Sequence, residues 1–246
     1  MLSRRSFVCQ AAAALLVLPE LAAQEAKPPA DRGARPLAVP VNPPAAFLET
    51  IDAKYRDPVR AVMRAPTVTA KHAEEPFFAQ PAVYDWFLDH PDRASLAWRR
   101  LNVPCAEIAD QGNGGFLFKD EQGSEVSWRA VAKFADGLVW YATGKVKPAA
   151  MLPVVPVKAV AILRSPRKPA GDTGEAAAFE PSTTVYIQTD SKATAAMLRI
   201  VGPAAPRMAE QGAEQLLLFF SGPSRYIFDH PEDAAKLLAP PRPAGK

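Results

Sequence analysis

The chain has 246 residues, with 29 Lys and Arg against 26 Asp and Glu, so its formal net charge is only +3. Its basic residues are spread along the sequence, which excludes the clustered basic surface that nucleic-acid binding requires. The two cysteines and three histidines show no spacing typical of a metal site. We therefore expect no nucleic-acid partner, no metal and no cofactor.

The first 23 residues have the character of an export signal. Arg4 and Arg5 precede an apolar stretch from Ala11 to Leu18, and small residues close the segment. Such a stretch is too short to span a bilayer unaided, so we expect a removable signal peptide over residues 1–23. The paired arginines resemble the twin-arginine signal of bacterial exported proteins. A periplasmic or secreted protein is predicted, with membrane contact only through this segment if it stays uncleaved.

Prolines crowd residues 24–44 and the end of the chain, 240–246. Segments of this composition cannot bury enough apolar surface to offset chain entropy. The sequence therefore predicts a disordered linker, one folded domain over residues 45–239, and a disordered tail. Cys9 would leave with the signal, and we interpret Cys105 as a small buried hydrophobic residue.

The folded part opens with a helical pattern. Apolar residues recur at every fourth position from Phe47 to Met63, and Pro58 interrupts them. We expect either a kinked helix or two short helices, with Asp57 capping the second. The breaker-rich segment that follows favours one short strand near Val68.

A second helical stretch covers residues 82–101. A break at His90 and Pro91 divides it into two helices, because Pro is favoured at a first helical position. Nearly the same short sequence recurs around His230 and Pro231. We interpret both histidines as parts of helix starts rather than as metal ligands or catalytic bases.

Between Cys105 and Thr189 the hydrophobic period changes to two. Runs of β-branched and aromatic residues, bounded by turn signals, predict six strands over residues 106–109, 116–119, 125–134, 138–146, 154–164 and 183–189. Asp136 and Gly137 indicate a type I′ hairpin turn, and residues 165–181 a breaker-rich connection. The short connections leave no room for crossover helices, so the sheet should be antiparallel.

The helical period returns after the last strand. Asp190 is a suitable cap for a helix over residues 191–201. A further helix is apolar on nearly every side from Leu216 to Phe220, which predicts deep burial. The pair Gly222 and Pro223 is expected to bend or end this helix.

This order of elements resembles the START-like or SRPBCC superfamily, whose fold is called the helix-grip. The matching features are the two short helices with an acidic-proline junction at Val83–Pro91, the Gly-rich turn at Asp110–Gly115, Trp128, the Gly137 hairpin, the late strand Thr183–Tyr186 and the terminal helix Ala209–Phe220. The resemblance implies an α+β fold in which a curved antiparallel sheet of six to seven strands wraps around a long C-terminal helix, with extra N-terminal helices. Relatives use the space between sheet and helix for lipids, sterols, polyketides and other hydrophobic molecules.

The sequence holds no convincing catalytic constellation. Ser221 and Ser224 lack a nucleophile elbow, and the glycines at 112–115 form a turn rather than a phosphate-binding loop. Glu74 and Glu75 fall in a loop. The expected ligand-binding residues are instead the side chains that would wall the cavity: Phe118, Trp128, one of Trp140 and Tyr141 on opposite strand faces, Met197 and Phe220.

Three functions fit this fold. The first is an exported, non-enzymatic protein that binds a lipid or another hydrophobic small molecule. The second is a structural or partner-binding envelope protein with a solid core and an unknown protein partner. The third is a cyclase- or hydrolase-like enzyme, which requires polar side chains to converge inside the cavity from among Arg129, Lys145, Tyr186, Gln188 and Asp190.

Overall fold

The computed structural model of this protein describes residues 45–147, 154–170, 176–189 and 205–240. The α-helices of this part are α1 Ala45–Glu49, α2 Arg56–Arg64, α3 Pro81–Asp89, α4 Pro91–Arg100, α5 Ala205–Asp229 and α6 Ala234–Leu238. Short 3-10 turns lie at Ala53–Tyr55 and Pro231–Asp233. The predicted signal peptide, linker, helix 191–201 and tail beyond residue 240 lie outside the described residues.

Ten strands complete the described structure. Their bounds are β1 Val68–Ala73, β2 Phe77–Ala79, β3 Ile108–Asp110, β4 Gly115–Lys119, β5 Glu125–Phe134, β6 Gly137–Val146, β7 Val155–Arg164, β8 Arg167–Ala170, β9 Ala176–Phe179 and β10 Ser182–Thr189. Seven of them form one antiparallel sheet in the order β1-β10-β7-β6-β5-β4-β3. All six strands that the sequence predicted belong to this sheet. The first strand, β1, joins it by pairing with the last, β10.

The long helix α5 packs against one face of this sheet, here called the inner face, and lies closest to β1, β2 and β10. Its predicted apolar stretch is deeply buried, since Leu216, Leu217, Phe219 and Phe220 are at most 2% exposed. The α+β fold, with an antiparallel sheet, a long C-terminal helix packed on it and additional N-terminal helices, is therefore confirmed. None of the helices in the described part combines the length and apolar character needed to cross a membrane.

The long helix continues through Pro223 to Asp229 instead of ending at the Gly222-Pro223 pair. Pro223 has no N–H group, so it cannot bond to the carbonyl of Phe219 four residues earlier. The indole Nε1 of Trp98, on α4, donates to that carbonyl at 2.9 Å. Gly222 makes room for the indole, because a Cβ at this position would collide with the Trp98 ring.

The opposite, outer face of the sheet is also buried. Helices α1 and α2 cover a separate outer core that includes Val59, Val139 and Val160. A β-bulge in β5 leaves Val131 as an extra residue, and its carbonyl accepts a hydrogen bond from the N–H of Asp52 at 2.9 Å. The N-terminal segment is thus attached to the sheet at its irregular point.

The hairpin between β5 and β6 differs from the predicted type I′ turn. That turn needs positive φ angles at its two central residues, and neither Asp136 nor Gly137 has one. Gly137 is instead the first residue of β6. A Cβ there would collide with the carbonyl oxygen of Leu163 on β7, so the close approach of strands requires the glycine.

A second sheet, of strand order β2-β9-β8, was not predicted. The segment before Pro81 holds two strands rather than one, and the stretch 165–181 holds β8 and β9 rather than a plain connection. Their sequences are poor in β-branched residues, so tertiary pairing decides their conformation. Edge strand β8 carries Arg167, Lys168 and Pro169, residues that discourage pairing with another chain.

The two histidine-proline junctions behave as predicted. His90 precedes α4 and His230 precedes the 3-10 turn at Pro231–Asp233, with nearly equal φ angles of −130° and −133°. In the N-terminal region, Pro58 falls in the first turn of α2, where its missing N–H costs no helical bond. Asp57 lies inside this turn rather than at the cap, so its predicted capping role is wrong.

The fit between Gly222 and Trp98 can be tested with Gly222→Ala. A buried Gly-to-Ala change in an ordinary helix adds up to about 1 kcal/mol of stability. Here we expect a loss of about 1 to 3 kcal/mol in the free energy of unfolding, because the new methyl group displaces the indole. Urea unfolding measures the change. The exposed Gln211→Ala on the same helix is the control and should stay within about 0.5 kcal/mol of wild type; a stabilised Gly222→Ala protein would contradict the packing.

Candidate functional site

The inner core brings four of the predicted wall residues together. Phe118, Trp128 and Trp140 from the sheet and Phe220 from α5 belong to one buried cluster. The Trp140 and Phe220 rings are 5.2 Å apart between centroids, and Phe116 lies 6.0 Å from Trp128. Alternation along each strand explains the convergence, since residues two apart share a face.

Of the other two predicted wall residues, only Tyr141 is described by the structure, and it is not in this cluster. Tyr141 lies on the outer face, where its ring is 5.7 Å from Tyr55. Neighbours on a strand point to opposite faces, so Trp140 is the member of the pair that faces the helix. Met197 lies outside the described residues. A ligand-binding role for the remaining four stays a prediction.

With one exception, the buried hydroxyl groups of the described residues are already used inside the protein. The exception is the Thr69 Oγ1 atom, which is buried without a partner and lies on the outer face, opposite Tyr186. The six buried serine and threonine side chains of the described residues each have a hydrogen-bond partner within the chain. The pairs are Ser95 with Ala106, Ser124 with Lys147, Ser165 with Tyr84, Thr183 with Ile162, Ser221 with Glu74, and Ser224 with Phe220. A guest between sheet and helix would therefore meet apolar surface rather than unused hydroxyl groups.

The polar set considered for catalysis does not converge on the inner core. Tyr186 belongs to the outer core, and Gln188 donates to two carbonyls at the end of α2. Arg129 stacks over a tyrosine beside the outer core, and Lys145 pairs with a glutamate at 56% exposure. Asp190 lies outside the described residues.

Glu74 forms a half-buried charged cluster that the sequence did not indicate. It lies in the β1–β2 loop, and its Oε1 accepts from the Ser221 hydroxyl at 2.9 Å and pairs with Arg225 at 3.2 Å. Its Oε2 is buried without a hydrogen-bond partner in the part of the chain described. Burial raises the pKa of Glu74, against the opposing effects of the Ser221 hydrogen bond and the Arg225 charge.

Arg225 gives this cluster a second attachment. Its guanidinium lies 4.6 Å from the Phe77 ring and donates to the Glu75 carbonyl at 3.2 Å. The cluster thus holds the β1–β2 loop on α5, and the loop gave no sequence signal because its partners are almost 150 residues away. Chemically, the arrangement can bind a proton. Over the described ranges, no group of three His, Cys, Asp or Glu side chains could hold a metal ion.

A crevice of about 210 Å³ opens between α3, the β5–β6 hairpin and the start of β8. Its lining includes Asp85, Leu88, Asp89, Lys133, Leu138 and Arg167. Another pocket, of about 390 Å³, lies at the ends of β6, β7 and β10. Neither is lined by the predicted wall residues.

Comparison with known proteins adds little to this description. No protein-family model matches the chain. No curated protein matches it. A conserved protein from Geobacillus kaustophilus is 11% identical, with a TM-score of 0.32, over 63% of this chain and 96% of that one. The di-domain ARO/CYC BexL from the BE-7585A biosynthetic pathway is 19% identical, with a TM-score of 0.32; the match covers 80% of this chain and 61% of BexL. Similarities of this size carry no argument, so the fold is defined here by its own strand order.

The raised pKa of Glu74 predicts a pH-dependent stability. Its folded pKa lies above the ordinary value of 4.5, so the protonated form favours folding. That contribution is complete below the unfolded pKa and is lost as pH rises through the folded pKa. Glu74→Gln, which imitates the protonated side chain, should therefore unfold at higher urea than wild type at neutral pH and match it in acid.

Glu75→Gln is the control, because this neighbouring carboxylate is exposed. It should leave the urea midpoint at neutral pH close to that of the wild type. A less stable Glu74→Gln protein at neutral pH would show that attraction to Arg225 outweighs the cost of burial.

Proposed function

We propose that this domain binds an apolar small molecule, such as a lipid, between the inner face of the sheet and α5, outside the cytoplasm and without catalysing a reaction. One observation carries the proposal: the inner core presents aromatic and aliphatic side chains, while the buried serine and threonine hydroxyls of the described residues are hydrogen-bonded within the chain, except for Thr69 on the outer face. Such an interior favours a guest that needs no polar partner.

The position of α5 supports this location. The helix backbone lies near β1, β2 and β10 and farther from strands β4 to β6. In this wider part the Trp140 ring of the sheet meets the Phe220 ring of the helix, and the Phe116 and Trp128 rings lie side by side on the sheet. A wide layer bridged by side chains is where rotamer changes can admit a ligand without breaking a strand or helix.

A solid core is the second candidate, and ring contacts favour it. Phe219 and Phe220 meet edge to face at 4.8 Å, and Phe220 also contacts Trp140. Rings that already fill the layer would leave the domain as a structural or partner-binding unit. Catalysis is not proposed, because the described polar side chains considered for it lie on the outer face.

Filling the inner layer separates the two candidates. Ala142 lies on the inner face of β6 and Ala132 on the outer face of β5, at 3% and 8% exposure. We expect Ala142→Leu to weaken binding of the apolar dye phenylnaphthylamine at least tenfold, because the added side chain takes up ligand space. Ala132→Leu should leave the affinity unchanged. Dye fluorescence measures binding, and native mass spectrometry of protein from its own host should detect a copurified ligand.

The ligand-binding proposal would be contradicted if native mass spectrometry detects only the protein without a ligand and the wild type does not bind the dye. The solid-core candidate then predicts that Ala142→Leu and Ala132→Leu both destabilise the fold by about 1 to 3 kcal/mol through overpacking. It further predicts recovery of a stoichiometric protein partner from the exported fraction.

A further inference from the structure

The crevice beside α3 has an apolar floor that belongs to the inner core. Leu88 of α3 and Leu138 of β6 line it, and both are members of the inner cluster, at 7% and 3% exposure. Leu138 and Trp140 share the inner face of β6, two residues apart. The crevice floor is therefore continuous with the aromatic wall of the proposed ligand site.

Two ion pairs cross the mouth of this crevice. Asp89 of α3 meets Lys133 of β5 at 2.5 Å, and Asp85 of α3 meets Arg167 of β8 at 2.7 Å. Each pair joins the helix on one side of the crevice to a strand on the other. Both pairs thus link the two sides of a crevice whose lining includes the apolar Leu88 and Leu138.

A third pair holds the hairpin tip beside the mouth. Asp136 pairs with Arg164 at 2.6 Å, and the Arg164 guanidinium lies 4.3 Å from the Phe134 ring. The backbone of Asp136 also accepts a hydrogen bond from the Ser165 N–H at 2.5 Å. The hairpin tip is thus held by backbone as well as side-chain contacts, whereas the two pairs across the crevice join side chains alone.

We propose that this crevice is the portal through which an apolar ligand enters and leaves the inner core, and that the Asp89–Lys133 and Asp85–Arg167 pairs are its latch. This inference rests on the proposed function. Opening the latch exposes Leu88 and Leu138 without separating any strands of the main sheet. The pairs suit a reversible closure because they are exposed, and exposed ion pairs are weak and screened by salt.

The latch makes a kinetic prediction. Lys133→Met removes one pair and keeps most of the apolar stem of the side chain. We expect the rates of dye association and dissociation to rise together, by up to about fivefold, the range that the loss of one exposed pair allows. The equilibrium affinity should stay unchanged, because a portal alters the barrier and not the bound state. Stopped-flow fluorescence with phenylnaphthylamine measures both rates.

Lys119→Met is a closely matched control. Lys119 pairs with Glu125 away from the crevice, and its exposure of 59% and its partner's of 43% equal those of Lys133 and Asp89. It should leave both rates unchanged. Raising the salt concentration should accelerate exchange in the wild type and the Lys119→Met protein, and less so in Lys133→Met.

The outcomes separate this proposal from the proposed function. If the wild type binds the dye but Lys133→Met exchanges it at the wild-type rate, the portal is wrong while the binding site stands. The portal would also be overturned if Lys133→Met changes only the dissociation rate, and with it the affinity. That result would mean that Lys133 contacts the bound ligand. If the wild type does not bind the dye, both proposals fail. Wild-type exchange that does not respond to salt would overturn the latch even if Lys133→Met failed to fold.

Discussion

The long helix can pass through Pro223 inside the core because one hydrogen bond from α4 replaces the helical bond that the proline removes. Pro223 leaves the Phe219 carbonyl without its helical donor, and the Trp98 indole supplies another at 2.9 Å. An unsatisfied buried carbonyl costs about 1 to 3 kcal/mol, so this bond removes most of the cost of continuing α5 to Asp229 inside the core. It also joins α4 to the turn that carries Phe219 and Phe220, and Phe220 contacts Trp140 of the sheet.

Burial of both sheet faces limits where function can lie. Helices α1 and α2 cover the outer face, which removes Tyr141 and Tyr186 from any site between sheet and helix. The inner face keeps the aromatic side chains, with its buried hydroxyls bonded internally. The features of the described structure that could serve function therefore include the apolar layer, the charged cluster at Glu74 that attaches a loop to α5, and the crevice lined by ion pairs and apolar side chains.

Local sequence patterns predicted the features that depend on local physics. The alternation of apolar and polar residues located the six main strands. It also placed Trp128 and Phe118 on the same face, because side chains two residues apart in a strand point to the same side of the sheet. The features that depend on distant neighbours were not predictable in this way. Gly137 is required because its strand passes close to the Leu163 carbonyl, not because it forms a turn. Pro223 is tolerated inside the helix because the Trp98 indole replaces the missing donor. The cluster at Glu74 has partners almost 150 residues away in the sequence. Strands β8 and β9 likewise form through tertiary pairing, against their weak β-propensity.

The most direct test of this account is a double-mutant cycle between Trp98→Phe and Pro223→Ala, measured by urea unfolding. Alanine at position 223 restores an N–H for the Phe219 carbonyl, so the loss of the indole donor should cost less in that background. We expect a coupling energy of about 1 kcal/mol or more. If the two single-mutant losses in the free energy of unfolding sum to the double-mutant loss within about 0.5 kcal/mol, the indole does not replace the missing helical donor. That result would contradict the account.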